Sequence, residues 1–147
     1  GVFDWLGLVA GLFGAGDAPD GTLDSLLENR THVEAADIRV IDGDTIRYAG
    51  GSVRLTGFDT PETLEPGCAY ERALGQAATR RLAELVESGQ PLLLVMSGQM
   101  DRYDRELGRL FVDGEDAGDI LVREALARAY IGGRRETWCA PEEEAAQ

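Results

Sequence analysis

The chain has no lysine, one histidine and two cysteines, and aromatic residues fill only 7% of its 147 positions. A lone histidine, His32, and the lack of any C-x-x-C pair leave too few nitrogen and sulfur ligands for a zinc site. Basic charge is scarce as well: fourteen arginines stand against 27 acids, for a net charge of −13. That excess argues against a polyanionic partner for the chain taken as a whole. The most hydrophobic stretch, at the N-terminus, falls short of the roughly 20 residues that cross a bilayer, so no stable membrane span is expected.

The acidity is uneven. Residues 1–37 hold seven acids and one arginine, and residues 136–147 hold four acids and no base. Residues 38–135 are close to balance, with sixteen acids and thirteen arginines. The length suits one domain with a real core. Residues 1–34 read as an apolar segment, a Gly/Asp/Pro-rich linker and a short helix near residues 22–29; residues 35–140 as the folded domain; residues 141–147 as an acidic tail. In the first of these, Val2, Phe3, Trp5, Leu6, Val9, Leu12 and Phe13 recur near helical spacing. The segment lacks an initiator Met and a basic n-region. As a helix it would be the remnant of a leader or anchor, a surface-attachment element, or a face for self-association or a partner.

Inside the domain, AADIRVI alternates in part, and TIRYAGGSVRL reads as a hairpin turning at Gly50-Gly51. His32 is placed ahead of the first strand. A helix is expected over residues 69–88, with Tyr70, Leu74, Ala77, Ala78, Leu82 and Leu85 forming an apolar stripe and Gly89 ending it. PLLLVMS is a strand buried on both faces, GQMDRYDRE a polar loop, LGRLFVDG another strand, and DAGDILVREALARAY a second helix. The fold class is therefore α+β, mainly β: five short antiparallel strands that close most economically as a Greek-key barrel of the OB type, with two to three packed helices. Cys68 and Cys139 permit one pairing. A bridge would close a loop of about 70 residues, stabilise by about 4 kcal/mol in the chain-entropy picture, and imply a secreted or envelope-associated protein. Two reduced thiols are the alternative.

The chemistry concentrates in VIDGDT, residues 40–45, and VRLTGFDTPE, residues 53–62. Clustered carboxylates repel one another and call for a cation, and hard oxygen ligands suit Ca²⁺ or Mg²⁺. Asp44 and Asp59 fall at two strand ends, and the Thr60 carbonyl, extended because Pro61 follows, can face the same ion. Arg54 sits between Val53 and Leu55 and points away from their apolar side. Its fork, with a second from Arg105, would grip a phosphate. Hydrolysis of a phosphodiester needs such positive charge and a base for the attacking water; Glu62 is placed to hold that water.

At these residues the chain resembles the staphylococcal-nuclease-like family of thermonucleases. Asp42-Gly43-Asp44-Thr45, Arg54, Asp59-Thr60-Pro61-Glu62 and Asp101-Arg102-Tyr103-Asp104-Arg105 follow the family pattern in order, over roughly residues 36–131. Each piece alone is weak; together they are specific. The resemblance implies an OB-type barrel and Ca²⁺-dependent hydrolysis of DNA or RNA leaving 3′-phosphates. It implies Asp44, Asp59 and Thr60 as metal ligands, Asp42 shaping their surroundings, Glu62 as base or water-orienter, and Arg54 and Arg105 on the scissile phosphate. Tyr103 would contact a neighbouring phosphate, and Tyr130, one position out of alignment, would pack on a base. Asp104 stands where the family has glycine, in a turn expected to need φ > 0, which Asp tolerates better than most residues. Asp104 and Glu106 are expected to lower the local positive potential and weaken nucleic-acid binding. The alternative reading is a non-catalytic barrel that binds nucleic acid, protein or polysaccharide.

Overall fold

The computed structural model describes residues 30–61, 63, 66–133 and 135–140. The expected N-terminal helices, Glu62 and the acidic tail lie outside the described residues. In chain order the elements are β1 (Arg30–Val33), a 3-10 turn (Ala35–Asp37), β2 (Ile38–Asp42), β3 (Thr45–Tyr48), β4 (Gly51–Leu55) and β5 (Phe58–Asp59). There follow α1 (Ala69–Val86), β6 (Leu92–Met100), β7 (Glu106–Val112), β8 (Glu115–Asp116), α2 (Ala117–Arg123) and β9 (Arg128–Ala129).

The described strands form a seven-stranded sheet ordered β1-β6-β7-β4-β3-β2, with β8 alongside β7, and a separate β5–β9 ribbon. The large sheet curls into a half-barrel with two helices packed on it, an OB-like α+β fold. It is mixed: β4 and β7 run parallel, and the other pairs are antiparallel. The core joins Ile46, Val53 and Leu55 to Leu94 and Leu110 on the sheet, and to Leu82, Leu85, Ile120 and Leu121 on the helices. Full burial of such side chains contributes roughly 1.5–3 kcal/mol each.

Three local features depart from the sequence reading. The hairpin turns at Ala49-Gly50, where both residues take positive φ (51° and 82°) and Tyr48 faces Gly51. That geometry matches the twist of the flanking strands. His32 belongs to β1, which pairs with β6 and buries Val33; the edge of β6 supplies a partner that local patterning does not reveal. The second helix stops after seven residues. Ala125 turns left-handed at φ 62°, and the chain re-emerges as β9 because Arg128 and Ala129 pair with Asp59 and Phe58. A nonlocal strand partner overrides the helical pattern there.

Helix α1 lies where the periodicity puts it, but its inward face is rotated. Gly75, Ala78, Leu82, Leu85 and Val86 are buried, whereas Tyr70 is 57% exposed. Small residues on that face have a structural reason. A Cβ on Gly43 would come 2.9 Å from the Ala78 Cβ and 2.9 Å from Thr60 Cγ2, and one on Gly75 would come 2.7 Å from the Pro61 carbonyl oxygen. The β2–β3 turn and the loop after β5 are thus both pressed onto the same stretch of α1, which brings their acids together.

Candidate functional site

Asp42 and Asp44 flank Gly43 in the turn between β2 and β3. The ladder slips between Val40 and Asp42, a bulge of the kind often found beside functional sites. The Thr63 hydroxyl donates to Asp42 Oδ1 at 2.8 Å, and the Thr45 hydroxyl to Asp44 Oδ1 at 2.9 Å. The Leu55 N–H donates to the Asp44 carbonyl at 2.8 Å, locking the turn to the end of β4.

Arg54, in register with Thr45, is only 7% exposed. Its Nη2 lies 3.4 Å from Asp44 Oδ2 and 3.8 Å from Asp59 Oδ1, so both carboxylates converge on one guanidinium nitrogen. The same group donates to the Phe58 carbonyl at 3.1 Å and to the Leu55 carbonyl. Burial lowers the Arg54 pKa, and the two aspartates oppose that without fully offsetting it. Asp59 and Thr60 are each 8% exposed.

Arg105 arrives from the other side. The Asp101 carboxylate accepts the N–H groups of Tyr103 and Arg105, each at 2.9 Å, and the Arg105 Nε at 2.8 Å. This ties the loop into an Asx-type turn, with Asp104 at φ 60°. Burial alone would raise the Asp101 pKa; those donors reverse it and hold the group below its ordinary value. Arg105 Nη1 reaches the Thr45 hydroxyl at 3.5 Å. Tyr103 is 62% exposed, with the guanidiniums of Arg102 and Arg105 at 4.8 and 5.4 Å from its ring centre.

Asp42, Asp44, Arg54, Asp59, Thr60 and Arg105 line one hollow of about 380 Å³. Beside it runs a groove of about 850 Å³ walled by Arg102, Tyr103, Arg109 and Tyr130. Glu106 lines a separate cavity with Thr31, Tyr48 and Met96. Tyr130 does not stand free: its hydroxyl donates to the Gly133 carbonyl at 2.8 Å, and its N–H to the Gly57 carbonyl at 3.0 Å. Among the described residues no group of three or more His, Cys, Asp or Glu closes a metal site. The donors that do face the hollow, the carboxylates of Asp42, Asp44 and Asp59 beside Thr60, are all oxygen and suit a hard divalent cation such as Ca²⁺. Glu62 follows directly in the chain but lies outside the described residues.

Two participants escape sequence reasoning. Asp101 orients Arg105, which its place at the head of a turn motif foreshadows. Arg135 has its Nε 3.5 Å from Asp59 Oδ1 and its guanidinium 5.2 Å from the Tyr130 ring centre. Partial burial lowers its pKa, but Asp59 and Tyr130 outweigh that and raise it. The only local hint is an Arg-Arg pair in an otherwise acidic C-terminal region. A Cys68–Cys139 disulfide, with a Cα–Cα distance of 6.1 Å, fastens this segment to the start of α1.

Residues 52–147 match the model of the staphylococcal nuclease homologue family. The chain is 41% identical over 99 residues to endonuclease YncB of Bacillus subtilis (strain 168), covering 63% of this chain and 46% of that protein. It is 40% identical over 99 residues to the SPbeta prophage-derived endonuclease YokF of the same strain, covering 63% and 33%. A thermonuclease of Staphylococcus hyicus is 33% identical over 96 residues, covering 63% and 56%. The match thus spans between a third and somewhat over half the length of these curated relatives.

Proposed function

We propose, because the chain belongs to the staphylococcal nuclease homologue family, that it is a Ca²⁺-dependent nuclease hydrolysing phosphodiester bonds of DNA or RNA. Its relatives' names describe endonucleases and a thermonuclease, and the site's charges suit the same reaction. The observation that carries the reading is the convergence of Asp44 and Asp59 on Arg54 Nη2, with Arg105 lining the same hollow. A Ca²⁺ held by Asp44, Asp59 and the Thr60 carbonyl would supply Lewis acidity at a phosphoryl oxygen.

The chain's own groups do the rest. Asp42 keeps the Asp44 turn in place through Thr63. Arg54 and Arg105 hold the phosphate and stabilise the charge that grows on phosphorus as the water oxygen attacks. Glu62 takes the water's proton, the P–O5′ bond breaks as O5′ takes up a proton from solvent, and a 3′-phosphate and a 5′-hydroxyl remain. Tyr103 and Tyr130 line the adjoining groove, where flanking nucleotides would lie. The five arginines of that groove, Arg54, Arg102, Arg105, Arg109 and Arg135, make a local basic track on an acidic protein.

Plasmid DNA and a structured RNA incubated with Ca²⁺ or with EGTA provide the test. Chelator-sensitive cleavage is expected, and Glu62→Gln should lower its rate by about 10²–10⁴-fold, the usual worth of a general base. Ca²⁺ binding without turnover of either substrate would replace this reading with the non-catalytic barrel. The joined cysteines support export to an oxidising compartment; free thiols at both positions in protein taken from its own host would refute that.

A further inference from the structure

Four residues line both the acidic hollow and the basic groove: Arg54, Tyr103, Arg105 and Arg135. The first three are accounted for by the nuclease reading. Arg54 is nearly sealed from solvent and already assigned to the scissile phosphate. Arg105 commits its Nε to Asp101. Arg135 is placed differently: its side chain is 53% exposed and it meets Asp59 at 3.5 Å, from the rim of the hollow. A half-exposed guanidinium at the junction of a cleavage pocket and a basic track is suited to anions that arrive from solution.

We propose that Arg135 binds a phosphate of the nucleic acid next to the scissile one, and that the Cys68–Cys139 bridge keeps it there. The proposal rests on the nuclease reading and adds a contact to it. The C-terminal segment is held at both ends. At its start β9 pairs with β5. Gly132 and Gly133, both at positive φ, then turn the chain back. Arg128 donates to the Thr137 carbonyl at 3.0 Å, with its guanidinium 3.8 Å from the Trp138 ring centre. At its far end Cys139 is bonded to Cys68, the cap of α1. Arg135 lies four positions before that bond. Opening it leaves the segment held by β9 and by the Arg128 contacts to Glu136, Thr137 and Trp138, without its covalent tie to α1.

The test is binding of a fluorescently labelled single-stranded DNA oligonucleotide by the full oxidised chain in EGTA, followed by anisotropy over a range of salt. Arg135→Ala should bind about tenfold more weakly, and its log–log salt slope should be shallower by about 0.7, the signature of one lost phosphate contact on a single strand. Arg135→Lys should keep most of the slope. A purely structural role would not move the slope while circular dichroism stays unchanged. Reduction of the bridge should weaken the parent towards Arg135→Ala and add little to that variant. Equal or tighter binding by Arg135→Ala, while the parent binds, overturns the proposal and leaves the nuclease reading standing. Reduction that does not weaken the parent overturns the role of the bridge. A parent that neither binds nor cleaves overturns both readings.

Discussion

Arg54 and Arg135 approach the same oxygen, Asp59 Oδ1, at 3.8 and 3.5 Å, from opposite surroundings. Arg54 rises from a strand, is nearly sealed from solvent, and is fixed by backbone carbonyls at the end of β4 and the start of β5. Arg135 extends from a segment without regular structure, half in solvent, and owes its place to a glycine turn and a covalent tie. One wall of the cleft is therefore built by the sheet, and the other is attached to it. A buried guanidinium gains rigidity because each donor must find a partner there. A rim guanidinium keeps its solvation and exchanges partners cheaply.

The largest effect that would break this contrast belongs to Arg54→Ala. Removing it takes the cation from poorly exposed Asp44 and leaves Asp59 with only the rim arginine, and the loss should be about 3–5 kcal/mol in urea unfolding. A midpoint equal to the parent's would mean that the sheet-built wall does not depend on this ion cluster. Asp101→Asn is intermediate. Its carboxylate orients Arg105, and loss of charge-assisted bonds should cost about 1–2 kcal/mol at neutral pH. Because the folded-state pKa of Asp101 is depressed, its contribution is present above the ordinary carboxylate value of about 3.9 and is lost as pH falls through the lower one. The parent should therefore lose stability on acidification more steeply than the variant; parallel curves would deny the loop this anchor. The smallest effect is Arg81→Ala. Arg81 links α1 to Glu124 at 2.7 Å, both side chains about a third exposed, so about 0.2–1 kcal/mol is expected, with cleavage unchanged. A large loss of activity there would show that the helices communicate with the cleft.

What sequence could show divides along the same line. Asp42, Asp44, Arg54, Asp59 and Thr60 lie on strands and a tight turn whose short-range patterns announce them, and the structure brings all five to one hollow. The helix over residues 69–86 follows from its periodicity, although only packing reveals that Gly75 and not Tyr70 faces inward. The second helix is cut short by β9, whose partner β5 lies about 70 residues earlier in the chain. Arg135 stays invisible for the same reason. Its position depends on a bond between Cys68 and Cys139, 71 residues apart, and no local pattern encodes which surface the returning segment will meet.

Gly75 and Ala78 are not among the residues lining the hollow, yet two acid-bearing segments rest directly on them. Helix α1 therefore serves as a gauge block: a glycine and an alanine on one face fix how far apart those segments sit, much as a shim sets the opening of a jaw. The reach between Asp44 and Asp59 is thus set partly by how little side chain Gly75 and Ala78 carry, on an element outside the acidic turn and loop themselves.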